Sequence, residues 1–204
     1  MAKKYDTMND IMSLYTHRLW KDHFVRSLNP GAPNSNLQIL DVAGGTGDIA
    51  FRLLEHATKL NNDYSAKVRV VDINANMLKY GKRKVDKGDQ KMWKGRIEFS
   101  QGNAEILDDV KDESVDLYTI AFGIRNVTHI DRVLDSAYRV LKPGGVFACL
   151  VYVPLYPSPV SQSNLYCRVL MAGILKTYES DFRIDISSLF IYPVAVNGTN
   201  CRRR

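Results

Sequence analysis

Cysteine is scarce: Cys149, Cys167 and Cys201 are the three among 204 residues. None stands in a CxxC pair or a Cys/His cluster, which excludes a disulfide scaffold and a structural zinc site. A reduced compartment and no metal site are expected. Long apolar runs are absent too. No stretch reaches the roughly 20 residues that span a bilayer, and the best, Val146 to Val160, is cut by Pro154, Pro157 and Pro159. The first residues show neither a secretory apolar core nor an Arg/Ser-rich leader, so a trimmed N-terminus is expected. No basic stripe carries interleaved aromatics, so nucleic acid is not an expected partner. The one tight basic run is Arg202-Arg203-Arg204, and Lys79 to Lys94 reads as a solvated helix and loop. The remainder is ordinary globular usage, 45% hydrophobic and 25% charged with a net charge of +6. That length and composition suit one compact domain with an appendage.

The pattern alternates strand and helix. Residues 5–28 carry helical spacing, with Ile11, Leu14, Tyr15, Leu19 and Phe24 on one face. Short strands are expected at 37–42, 67–73, 96–101, 115–121 and 146–153. Helices are expected at 48–60, 77–85 and 130–141, the last closed by Lys142-Pro143-Gly144-Gly145. Repeated units of this length imply a mostly parallel twisted sheet with helices on both faces.

Ligands of such sheets bind at the carboxyl ends of the strands. The first strand ends in Asp41-Val42-Ala43-Gly44-Gly45-Thr46-Gly47-Asp48, a turn whose glycines permit positive φ and close approach of a ligand. The second ends in Asp72, placed to accept from ribose hydroxyls. The third ends in Gly102-Asn103-Ala104-Glu105, where an amide and a small residue can flank an adenine. Two cofactors compete. Gly45-Thr46-Gly47-Asp48-Ile49-Ala50 fits the dinucleotide pattern G-x-G-x-x-A. S-adenosylmethionine uses a related turn but brings a cationic sulfonium and no pyrophosphate. Asp41 and Asp48 repel a pyrophosphate and suit a cation, although an acid at a helix start also simply caps it.

The order DVAGGTGD, VDIN, GNAE, FGIRNV, YRVLKPGG resembles the ubiquinone/menaquinone C-methyltransferases, class I S-adenosylmethionine-dependent enzymes. Tyr5-Asp6-Thr7-Met8-Asn9-Asp10 resembles their N-terminal signature, and HRLWKDHF looks like the mitochondrial coenzyme Q members. The resemblance implies a Rossmann-like fold: an N-terminal helical lid over 1–34, a cofactor-binding core over 35–153 and a divergent tail over 154–204. It implies S-adenosylmethionine as cofactor, held by Asp41, Gly44, Gly45, Thr46, Gly47, Asp72, Asn103 and Ala104. It implies C-methylation of a polyprenyl methoxy-benzoquinol, membership of a quinone-synthesis complex, and a peripheral place on the matrix side of the mitochondrial inner membrane. Where the family often has a serine before FG, this chain has Ala121.

Methyl transfer to carbon needs an aligned ring and a stabilised phenolate-like oxygen. Alignment supplies on the order of 7–11 kcal/mol, and one aimed oxyanion donor about 3 kcal/mol. Arg125, after the fourth strand, is the first candidate donor; a guanidinium lowers a quinol's pKa without itself acting as a base. His17, Tyr5 and His129 are further candidates for proton acceptor or substrate contact, His129 also reading as a surface residue. The resemblance extends from about Tyr5 to about Val151. Beyond it the family's acidic residue is replaced by Tyr152-Val153-Pro154-Leu155. There Leu165 to Lys176 reads as a helix and Leu189 to Val196 as a strand, and an altered reading frame or splice is the expectation. The fifth strand is then an exposed edge. Three functions stand: an active quinol methylase, an impaired member serving as a complex subunit, and a nicotinamide-dependent oxidoreductase.

Overall fold

A computed structural model describes residues 16–152 and 167–172. Helix α1 spans Thr16–Leu28, β1 Gln38–Val42, α2 Asp48–Lys59, β2 Lys67–Asp72, α3 Ala75–Lys87 and β3 Ile97–Gln101. Then come β4 Val115–Ala121, a 3-10 turn at Ile124–Asn126, α4 Ile130–Val140, β5 Leu141–Tyr152 and β6 Cys167–Ala172; a second short 3-10 turn, Lys91–Trp93, precedes β3. The sheet order is β3-β2-β1-β4-β5-β6, parallel through β5, with β6 antiparallel to it.

The strands read as nearly continuous apolar runs because both faces of the sheet are covered. Successive residues point to opposite sides. Ile39, Val70, Leu117, Ala148 and Leu150 face α1, α2 and α3, where Trp20, Phe24, Leu53, Leu54 and Leu78 are buried. Leu40, Val71, Tyr118, Ile120 and Cys149 face α4, through Val133, Ala137 and Val140. Burial of each large apolar side chain contributes roughly 1.5–3 kcal/mol. Cys149 is free, and burial pushes its thiol up to about 12, far from reactive range.

Register levels the strand ends. Val42 lies beside Val71 on one side and Ile120 on the other, and Asp72 lies beside Gln101. The loops after β1, β2, β3 and β4 therefore emerge together. Helices α2 and α3 begin at local signals. Gly47, at φ 82, turns the chain into α2, and the Asn74 side chain caps α3 by accepting from the Asn76 and Met77 N–H groups.

Three expectations are corrected. Leu19 is 63% exposed, and the buried face of α1 is Trp20, Phe24 and Val25 instead; Ile11, Leu14 and Tyr15 lie outside the described residues. Helix α4 stops at Val140, and Leu141 already pairs with Val115. The Lys142-Pro143-Gly144-Gly145 segment is an irregularity inside β5, with Gly144 at φ 78, before pairing resumes at Leu117 and Val146. Finally, the helix expected at Leu165 to Lys176 is replaced by β6, paired from Phe147–Ala172 to Tyr152–Cys167. The open edge of β5 supplies backbone partners that outweigh local helical spacing, so β5 is not an edge. The strand expected at Leu189 to Val196 lies outside the described residues.

Candidate functional site

A cleft of about 800 Å³ opens where the four strand-end loops meet. Its wall includes Asp41, Gly44, Gly45, Thr46, Asp72, Asn103, Ala104 and Arg125. All eight were singled out by sequence, and they come from β1, the end of β2 and the loops after β1, β3 and β4.

Asp41 lies at the floor, fully buried. Its Oδ1 accepts the Thr119 hydroxyl at 2.9 Å, while its Oδ2 has no partner. Burial first of all, with the Asp48 and Asp72 charges adding to it against the Thr119 and Ala50 hydrogen bonds, pushes the carboxyl up to about 7. Gly44 is required beside it: a Cβ there would stand 2.6 Å from Asp41 Oδ2 and 2.8 Å from Val70. Gly45, at φ 56, presents its N–H to Asp72 Oδ2 at 2.9 Å. Asp72 Oδ1 accepts the Asn74 N–H at 2.8 Å, so this half-buried carboxylate braces the glycine turn and the start of α3 together. Each oxygen retains a second lone pair for a ligand.

Gly47 is placed differently from its neighbours. It is not part of the cleft wall, and a Cβ on it would meet the Phe99 ring at 3.1 Å and Phe51 at 3.4 Å. It serves the turn and the packing of α2. Asp48 is on the wall, but Lys21 of α1 donates to it at 2.8 Å and Arg52 at 3.3 Å. Burial works to raise the Asp48 carboxyl, and the charges and hydrogen bonds of Lys21 and Arg52 outweigh it and hold it below the ordinary value. Two cations already offset its negative charge, which leaves Asp41 as the group that disfavours a pyrophosphate.

Asn103 Oδ1 accepts the Glu105 N–H at 2.9 Å, an Asx turn that shapes the loop beside Ala104. Arg125 is exposed and, among the described residues, makes no hydrogen bond or ion pair. His129 is on the wall, paired through Nδ1 with Glu105 Oε2 at 3.1 Å, and stands at the N-cap position of α4. His17 lies in the first turn of α1, but its side chain, like Tyr5, lies outside the described residues.

Sequence reasoning passed over Ile73, which is 72% exposed at the cleft wall beside Asp72, and Met77. It also passed over Ala43 and Phe122, which come directly after β1 and β4 at φ 53 and 59 and line the cleft. A non-glycine residue held there is strained by roughly 1–2 kcal/mol. An apolar residue directly after a strand-end acid was the available signal for Ile73.

The model of the ubiE/COQ5 methyltransferase family matches residues 1–180. The chain belongs to that family. The match extends past Val151, where the sequence resemblance was expected to end. A relative from Schizosaccharomyces pombe, a mitochondrial 2-methoxy-6-polyprenyl-1,4-benzoquinol methylase, is 59% identical over 162 residues, covering 79% of this chain and 53% of its own. The ubiquinone/menaquinone biosynthesis C-methyltransferase UbiE of Bartonella bacilliformis is 49% identical over 197 residues, covering 95% of this chain and 72% of its own. The chain spans about half the length of most of these family relatives. A solved SAM-dependent methyltransferase from Aquifex aeolicus matches with TM-score 0.53 at 20% identity, over 68% of this chain and 69% of that one. A structure from Methanococcus maripaludis matches with TM-score 0.56 at 17% identity, over 72% and 62%. These likenesses establish the Rossmann-like methyltransferase fold of this family member.

Proposed function

We propose that the cleft holds S-adenosylmethionine and that the chain methylates a ring carbon of a polyprenyl methoxy-benzoquinol in ubiquinone synthesis. The observation that carries this reading is the buried Asp41 Oδ2, unpartnered at the floor of the cleft between Gly44 and the strand ends. A buried carboxylate oxygen without a donor is costly unless a cation meets it. An amino acid's ammonium or a sulfonium suits that floor, and a pyrophosphate does not. The names of the family relatives support the same reaction.

The cofactor, when bound, supplies an electrophilic methyl group on sulfur. The chain's own residues do the rest. Gly44 and Gly45 leave room against the backbone, Thr46 closes the turn, and Asp72 offers free lone pairs to ribose hydroxyls. Asn103 and Ala104 flank the adenine together with Ile73. Arg125 offers N–H donors to the quinol oxygen, favours its ionised form and raises the nucleophilicity of the ring carbon. Tyr5 and His17 are the proposed proton acceptors or substrate contacts on the N-terminal side. Ala121 brings no hydroxyl to the wall. Gly47, assigned to the cofactor by resemblance, contributes through the turn it makes. The setting proposed is mitochondrial, peripheral on the matrix side of the inner membrane, within a quinone-synthesis complex. Mitochondrial relatives support the compartment. A second reading is a subunit of that complex that does not turn over.

Methyl transfer to a short-tailed demethyl-quinol separates the two readings, and Arg125→Ala tests the mechanism. In the active enzyme it lowers kcat on a short-tailed demethyl-quinol by about a hundredfold, with S-adenosylmethionine affinity within twofold. Equal losses in both overturn the assigned role, and a wild-type chain that binds donor without transferring methyl supports the subunit.

A further inference from the structure

Glu105 crosses the mouth of the cleft. Its Oε1 accepts the Thr128 N–H at 2.9 Å and the His129 N–H at 3.0 Å, and its Oε2 lies 3.1 Å from His129 Nδ1. Its own backbone is fixed at both ends. The N–H donates to Asn103 Oδ1 at 2.9 Å, and the carbonyl accepts the Ser136 hydroxyl of α4 at 2.8 Å. The side chain is 12% exposed. The His129 N–H first, with the His129 ring and the Thr128 N–H, outweighs burial and holds its carboxyl below the ordinary value.

The sheet does not fix the distance this bridge spans. In the order β3-β2-β1-β4, two strands separate the end of β3 from the end of β4. The loop after β3 carries Asn103 and Ala104; the loop after β4 carries Arg125. No ladder hydrogen bond joins them. The Glu105 carboxylate does, through three contacts with Thr128 and His129 at the cleft, while Ser136 on the Glu105 carbonyl and Arg139 on the Ile106 and Leu107 carbonyls tie the same loop to the body of α4.

We propose that Glu105 is a positioning residue, with His129 as its partner, setting the gap between the loop after β3 that flanks the adenine end of the ligand and the loop after β4 from which Arg125 acts. This rests on the reading of the cleft as an S-adenosylmethionine site. Charge matters to the role: bonds from N–H groups to a carboxylate are roughly twice as strong as neutral ones, and a carboxylate can accept at both oxygens.

The test uses the full chain, with S-adenosylhomocysteine and methylthioadenosine, which lacks the amino-acid tail, as probes. Glu105→Ala is expected to weaken both by the same factor, about tenfold, with Glu105→Gln in between and His129→Ala smaller still. Amide exchange at Thr128 and His129 speeds up in unliganded Glu105→Ala. A residue that merely stabilised the fold would lower the melting temperature and leave affinities measured well below it unchanged. Unchanged methylthioadenosine affinity in Glu105→Ala, or undiminished protection of the two amides, overturns the proposal. If Glu105→Ala does not fold, Glu105→Gln decides alone: an intermediate loss supports the bridge, wild-type affinity overturns it. Wild-type protein that binds neither probe overturns the underlying reading of the cleft instead, while amide exchange still reports on the bridge.

Discussion

At Asp41 a carboxyl group sits out of water with one oxygen on the Thr119 hydroxyl and the other without a hydrogen-bond partner. Burial and two nearby acids push it from 3.8 to about 7. The sign of that shift sets the pH dependence. Below about pH 4 the group is protonated whether the chain is folded or not. From there to about pH 7 the unfolded chain releases a proton that the folded chain keeps, so stability falls as pH rises. The slope is about 1.4 kcal/mol per pH unit, and the total at most about 4 kcal/mol. Asp41→Asn removes the slope. Its melting temperature relative to wild type is expected to climb between pH 4.5 and 7.5, both without ligand, and parallel curves would contradict that expectation. The strand-end residues were legible in the sequence because each sits at a local landmark, the first polar or small position beyond a strand's apolar run. Gly47 was not, since a glycine between turn and helix reads alike whether a ligand or the Phe99 ring approaches it. Nor was the pairing of Asp48 with Lys21, whose partner comes from a different helix.

Among the elements, α1 was read as part of a covering lid over 1–34. Its described residues Trp20, Phe24 and Val25 belong to the same buried cluster as α2 and the sheet, while Trp20 and Lys21 wall the cleft. The helix is anchored by burial and by the Lys21–Asp48 pair, half-exposed and therefore weak. Phe24→Ala is expected to cost about 3–5 kcal/mol, read as a lower denaturation midpoint with an unchanged slope. A loss below about 1 kcal/mol would contradict that anchoring. The helices and parallel strands were legible because their periodicities are local and their two faces are both buried. β6 was not, because its backbone partners on β5 are supplied from outside its own segment. Arg139 illustrates the same limit: from α4 it donates to the carbonyls of Ile106, Leu107 and Val110, fixing the loop before β4. Arg139→Ala is expected to cost on the order of 2 kcal/mol, measured by denaturant titration, and to raise proteolytic cleavage within 106–112; no change in either would contradict that fixing role.

For the molecule as a whole, parallel order and level register bring four loops to one end of the sheet, and chemistry arises from that convergence. Asp41, whose carboxyl ionises near neutral pH, gives the floor a place for a cation, and Arg125 stands at the rim with no partner among the described residues. That division suits a cationic methyl donor below and an ionising quinol above. The measurement that tests this most directly is calorimetric titration of the full chain with S-adenosylmethionine and, separately, with NAD. Saturable binding of the first, little of the second, and at least a tenfold weakening of the first in Asp72→Ala are the results the cleft predicts. Preferential binding of NAD, or donor affinity indifferent to Asp72, would contradict it.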